Sequence, residues 1–224
     1  MIKYQRKLND FQYILSFDLA KRVSGYALWD FKNDKVLMAG VIDTRLAPSD
    51  FIWKFFYDEV DKVIKKAQKI IGVNKSSLLF LTKEKLPTQN GPHSTIETLQ
   101  GLAQAHSIFD LVASNAGIEM YDYEGIHSVS VKAYFKSLLI DNEKPQKEDI
   151  AKYIKERFVG FDFGSLSLDV TDALAVAITL VEKKYDMDIK DEIKRIKKEL
   201  KTYKSVAKKN ELEEQIKHLQ EFTA

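Results

Sequence analysis

Three apolar runs follow one another with little between them: Tyr13 to Asp18, Val23 to Asp30 and Lys35 to Ile42. The first connection is a short basic turn (Lys21, Arg22) and the second reads Phe31-Lys32-Asn33-Asp34. Strand-like runs joined this tightly form an antiparallel meander, because a parallel pair needs a long crossover between its strands. Beyond the meander the pattern alternates. Pro48-Ser49 opens a segment with Phe51, Phe55, Val63, Ala67 and Ile70 near helical spacing, which predicts a helix packed on the sheet. Ser76 to Lys83 contains L-L-F-L, the continuous apolar run of a strand buried on both faces. Ser94-x-x-Glu97 reads as a capping box for a helix through Leu99, Leu102, Ala103 and Phe109 to near Ala116. Ile118 to Tyr123 is expected as a fifth strand. Helices are expected over Val131 to Leu139, Lys147 to Phe158 and Asp169 to Lys184. The order predicts an α/β fold, a mixed five-stranded sheet with helices on both faces.

At 224 residues and 45% hydrophobic, the chain can build one such core and an appendage. We expect the α/β domain over 1–185 and a helical extension over 186–224. In the latter, Ile189, Ile193, Ile196, Leu200 and Tyr203 recur at alternating spacings of four and three. The pattern breaks near Lys208-Lys209-Asn210 and resumes at Leu212, Ile216 and Leu219, as in a helical hairpin or one long helix with a stutter. Such a segment suits an amphipathic flap over the core or between subunits, or a basic arm on a nucleic acid. With no cysteine, disulfides and thiolate metal sites are excluded. A polar N-terminus without an apolar signal core, and no membrane-length apolar run, lead us to expect a soluble chain in the cytoplasm. The net charge of +2 does not by itself point to nucleic acid.

Four acids supply a candidate site. Asp18 ends the first strand, Glu84 follows the buried one, and Asp169 and Asp172 open the last core helix in L-D-V-T-D-A-L-A-V-A-I. Three residues apart on a helix, the last two share a face. Singly each has an ordinary reading: a turn former, a surface charge beside two lysines, a helix cap. The signal is the ordered set at the ends of successive elements. Four carboxylates are what a two-magnesium phosphodiesterase requires, since magnesium takes hard oxygen ligands. Carboxylates gathered without a cation raise one another's pKa, so the cluster itself predicts a metal.

Taken together, these stretches resemble the RuvC-type Holliday junction resolvases of the RNase H-like superfamily, particularly their divergent phage forms. The likeness runs over roughly 13–184. I-L-S-F-D-L-A-K-R-V-S-G-Y-A-L resembles the family's first strand, acid, basic turn and second strand. L-F-L-T-K-E-K-L-P resembles the strand bearing the second acid, T-L-Q-G-L-A-Q-A-H the small-residue helix after it, and L-D-V-T-D-A-L-A-V-A-I the closing acidic helix. The resemblance implies that Asp18, Glu84, Asp169 and Asp172 are metal-binding catalytic acids and that Lys147 acts beside them. Lys21, Arg22, Lys132, Lys136 and Lys147 are the expected DNA contacts. It further implies Mg²⁺ (with Mn²⁺ able to substitute), branched DNA as substrate, and a homodimer presenting two sites to a two-fold junction. D-L-A stands here where the family has D-P-G, and the family's junction-wedging aromatic is not evident after Glu84. A looser choice of branched substrates is the corresponding expectation.

Two other classes share parts of this pattern. An actin-like ATPase also ends its first strand on an acid, but it needs glycine-rich phosphate loops, and no G-x-x-x-x-G-K-[ST] occurs here. A non-catalytic branched-DNA-binding protein, or an RNase H-type nuclease acting on hybrids, would keep the same acid order. His106 sits at helical spacing among apolar residues and reads as a packed histidine. His127 follows the fifth strand, and a single histidine there is weak support for general base chemistry.

Overall fold

The computed structural model describes residues 8–86, 95–120, 125–139, 145–163, 168–200 and 206–221. The meander is present as β1 (Tyr13–Asp18), β2 (Val23–Asp30) and β3 (Lys35–Asp43). Helix α1 (Ile52–Ile71), β4 (Leu79–Lys83), α2 (Ile96–Asn115) and β5 (Glu119–Met120) follow. The chain continues through α3 (Ser128–Leu138), α4 (Lys147–Arg157), α5 (Leu168–Leu200) and α6 (Val206–Glu221). The five strands lie in the order β3-β2-β1-β4-β5. β1 is antiparallel to β2 and parallel to β4, so the two most buried strands form a parallel pair at the centre. That pairing accounts for the unbroken apolar run of β4, which is covered on both faces.

Side-chain alternation divides β1 between two cores. Tyr13, Leu15 and Phe17 join Phe56, Val60 and Ile64 of α1 and Ala105, Phe109 and Val112 of α2 in one apolar cluster. Ile14, Ser16 and Asp18 face the other way. Ile14 registers with Trp29 and Phe80, Ser16 with Ala27 and Thr82, and Asp18 with Gly25. Side chains on this second face therefore shrink toward the carboxyl end of the sheet. Trp29 stacks edge-on against Phe158 at the end of α4, and Gly25 lies against the first turn of α5. Helices thus cover both faces, as expected.

Several local details differ from expectation. The buried stripe of α1 is Phe56, Val60, Val63, Ile64, Ala67 and Ile71, whereas Phe51 and Ile70 are exposed at 59% and 42%. The helix starts later than the pattern at Pro48 suggests, after a short 3-10 turn, and this rotates its face. Residues Val73–Leu78 form another 3-10 turn, so β4 is only five residues long. The expected Ser94 cap falls outside the described residues, and Thr95 is the N-cap: its hydroxyl accepts a hydrogen bond from the Thr98 amide at 3.2 Å. Glu97 turns instead to an ion pair with Lys21. Thr95→Ala should cost about 1 kcal/mol, lowering Tm by about 2–4 °C. An unchanged thermal unfolding curve would show that the hydroxyl does not cap α2.

The chain divides into two compact units, 1–179 and 180–224. Helix α5 carries no glycine or proline from Leu168 to Leu200, so nothing stops it near residue 185. In the second unit Ile196, Leu212 and Ile216 bury one another, flanked by Ile193 and Leu200. Lys208-Lys209-Asn210 lies inside α6 and does not interrupt it. No helix among the described residues is long and apolar enough to cross a membrane.

Candidate active site

Parallel pairing brings the first two acids to one place. The register aligns Phe17 with Lys83, and the Glu84 amide donates to the Phe17 carbonyl at 3.0 Å, so the ladder runs one residue past β4. Glu84 is held from its other side by a parallel bridge to Ile126. Asp18 and Glu84 therefore end neighbouring strands on the same edge, the carboxyl edge, where crevices form in open α/β sheets. Their side chains meet. Burial, a hydrogen bond with Glu84, and the charges of Glu84 and Asp172 push the Asp18 carboxyl up to about 8, with Lys147 opposing. Burial and the neighbouring carboxylates thus both disfavour the charged form of Asp18.

The third acid comes from α5. Val170, Ala173, Leu174 and Ala177 are fully buried and set how the helix faces the core, leaving Asp172 half-buried at its border. Helix α4 supplies a cation. Gln146 and Asp149 form a capping box, which places Lys147 in the first helical turn, and its ammonium forms an ion pair with Asp172. Burial works against the charge on Lys147. The hydrogen bond and charge of Asp172, with Asp18 and Glu84 behind it, outweigh that and raise its pKa. Glu84, Asp172, Lys147 and Lys132 line a cleft of about 140 Å³ together with Ser128 and Val131 of α3. Lys132 is exposed at the mouth, and Lys136 lies exposed one turn further along α3.

Asp169 is placed differently. It sits one turn before Asp172 and acts electrostatically on Arg45. Lys21 and Arg22 occupy the turn after Asp18, but they line a separate cavity. The structure thus draws together Asp18, Glu84, Asp172, Lys147 and Lys132, and sets Asp169, Lys21, Arg22 and Lys136 around them. His106 is buried, and burial, with Lys83 nearby, lowers its pKa to about 4, so it stays neutral in the core. The Lys83 ammonium, itself buried, pairs with Asp110 of α2. His127 is the exposed N-cap residue of α3.

The donor set fits a hard divalent cation. All its acids are oxygen donors, and the charges of Glu84 and Asp172 both act on Asp18. Among the described residues, however, no three acids or histidines are already drawn into a closed cage. The Asp172 carboxylate lies on Lys147.

Gly25 is a site residue that the search for acids does not reveal. A Cβ built there would stand 2.0 Å from the Asp169 carbonyl oxygen and 2.3 Å from its carbon. Only a residue without a side chain allows the acidic turn of α5 to reach the sheet edge beside Asp18. The available signal is a glycine inside a strand pattern, which marks close backbone approach.

No protein-family model matches the chain, and no curated protein sequence does. Solved structures do. RuvC of Thermus thermophilus in complex with a Holliday junction substrate is 16% identical with a TM-score of 0.54, over 75% of this chain and 91% of that one. Thermus thermophilus RuvC determined separately is 17% identical with a TM-score of 0.52, over 75% and 92%. The yeast mitochondrial Holliday junction resolvase is 14% identical with a TM-score of 0.50, over 76% and 77%. The class is therefore an RNase H-like α/β fold with acids at the carboxyl edge of its sheet. Within that class, the chain has the RuvC-like form of the fold.

Proposed function

We propose that this chain is a divalent-cation-dependent endonuclease that cuts branched DNA, with the four-way junction as its principal substrate. The observation that carries the reading is the meeting of the Asp18 and Glu84 side chains, with Asp172 beside them, at the end of the central parallel strands. In this reading Asp18, Glu84 and Asp172 hold Mg²⁺, or Mn²⁺ in its place, and Asp169 lies one turn away on the same helix. Magnesium held there would supply positive charge to the phosphodiester and favour ionisation of the attacking water. Lys147 exchanges Asp172 for a phosphate oxygen and neutralises charge as the leaving group departs. Lys132 at the mouth of the cleft, with Lys136, Lys21 and Arg22 further out, anchors flanking phosphates, so affinity falls steeply with salt. Two copies related by a two-fold axis would nick opposite strands of a junction symmetrically. The likeness to solved junction resolvases supports this choice of substrate.

The test is nicking of an end-labelled four-way junction beside linear duplex and an RNA–DNA hybrid, in Mg²⁺ and in EDTA. Symmetric junction nicks that disappear in EDTA are expected. Binding without cleavage in Mg²⁺ or Mn²⁺ would reduce the chain to a junction-binding protein. Cleavage confined to the hybrid would make it an RNase H-type enzyme.

A further inference from the structure

A second and larger cavity, of about 730 Å³, opens beside the acid cluster. Its cationic lining comes from two turns tied together. Lys21 and Arg22 lie between β1 and β2, and Arg45 lies in the 3-10 turn after β3. The buried Thr44 hydroxyl donates to the Lys21 and Arg22 carbonyls at 2.8 and 3.0 Å, and the Thr44 amide donates to the Arg22 carbonyl at 2.8 Å. Arg45 is oriented by Asp43, which accepts from its Nε at 2.8 Å and from its Nη2 at 2.6 Å. Asp43, and more distantly Asp169, favour the charged form of Arg45, so the guanidinium that lines the cavity stays cationic.

The rest of the lining is not cationic. Trp53, in the first turn of α1, supplies an aromatic ring. Gln100 and Gln104, four apart on α2, present two exposed carboxamides along one helix face. Among the described residues Glu97 is the one acid in the lining, and it is paired with Lys21. Gly101 makes this arrangement possible: a Cβ there would come within 2.8 Å of the Lys21 Cγ and Cδ, so the glycine lets the lysine stem lie along α2.

Each ingredient has a matching chemistry. Guanidinium groups bind phosphate oxygens in a bidentate manner. An indole ring stacks any base. A carboxamide both donates to and accepts from a base edge. The volume is far more than a phosphate alone needs and lies within the range that encloses one drug-sized group. A base stacked inside a duplex cannot present its face to the indole, whereas an unpaired one can. We infer that this cavity receives a single unpaired nucleotide of the DNA strand that passes the acid cluster. Its base stacks on Trp53 within reach of Gln100 and Gln104, and its phosphate rests on Arg22 and Arg45. This rests on the nuclease reading for the strand's identity and adds to it a preference for DNA already open at the branch.

The chain has two tryptophans. Trp29 is buried beneath the Arg157 guanidinium and the Phe158 ring, so emission changes on adding DNA report Trp53. The experiment titrates the full chain, in EDTA, with a short unlabelled single-stranded oligodeoxynucleotide. Saturable quenching is expected. It should vanish in Trp53→Phe while a fluorescently end-labelled copy of the oligonucleotide still binds. The affinity should fall about tenfold in Gln100→Ala/Gln104→Ala, the loss of two hydrogen bonds. Blunt duplex and a free deoxynucleoside monophosphate should bind at least tenfold more weakly than the strand. The inference is overturned if the parent fails to bind the oligonucleotide or binds it without quenching. Quenching that survives Trp53→Phe, a carboxamide variant that binds like the parent, or a duplex or free nucleotide that binds as well as the strand would equally overturn it. Because no metal is present, quenching that persists in a chain unable to nick removes only the nuclease reading. Nicking without quenching removes only the cavity.

Discussion

Asp18→Asn is expected to reduce junction nicking about a thousandfold or more and, in EDTA at pH 8, to make the protein more stable than its parent. The two effects share one cause. In the folded chain Asp18 keeps its proton to about pH 8, because of burial and of Glu84 and Asp172 beside it, whereas its ordinary value is 3.8. Between those values the unfolded chain has released a proton that the folded chain still holds, so stability falls as pH rises. Below pH 4 both states hold the proton, and nothing from this group is lost. The limiting slope is about 1.4 kcal/mol per pH unit. The neutral amide does not titrate, so the Tm difference between variant and parent should be near zero at pH 4 and grow toward pH 8 to something on the order of 10 °C. Mg²⁺ should raise the parent's Tm at pH 8 and leave the variant's almost unchanged. A Tm difference that does not vary with pH, or parent-like nicking by the variant, would dismiss Asp18 as the centre of the acid cluster.

Gly25→Ala is expected to damage fold and site together. The added methyl meets the Asp169 backbone carbonyl at 2.0 Å, and a main-chain group cannot rotate away as a side chain can. Overpacking of this kind costs about 1–3 kcal/mol, and the backbone partner puts it at the upper end. Tm should fall by about 5–10 °C. The helix can relieve the clash only by moving its first turn, which carries Asp172 away from Asp18. Nicking measured well below the transition should therefore fall at least tenfold. Gly160→Ala is the control, since nothing lies within 4 Å of a Cβ there, and it should leave both readings unchanged. If Gly25→Ala nicks like its parent, the close approach of α5 to β2 has no part in arranging the acids.

Much of the architecture is legible in the chain because it depends on local periodicity. The meander, the doubly buried β4 and the amphipathic helices each follow from spacing within a few residues. Boundaries are less legible where two local solutions compete. Thr95 caps α2, and a 3-10 turn at the start of α1 rotates its buried face away from Phe51 and Ile70. The length of α5 is a similar case. A change in composition near residue 185 looks like a boundary, but with no helix breaker in the segment the hydrogen-bond ladder simply continues.

By itself the sequence determined which elements form, and that an acid stands at the end of β1, after β4 and twice at the start of α5. These are properties of spacing, and spacing is local. Only the tertiary structure decided which of those acids meet. The parallel register of β1 and β4 puts Asp18 beside Glu84 across 65 intervening positions. The approach of α4 to α5 gives Asp172 to Lys147, while the charge of Asp169 is felt at Arg45. Gly25 looks like a weak point in a strand until the helix that presses against it is seen, and Lys21, Arg45, Trp53 and Gln104 share a cavity that no spacing in the chain foretells. Charge and contact fall off over a few ångströms in space, and the chain's order does not encode which distant segments come that close.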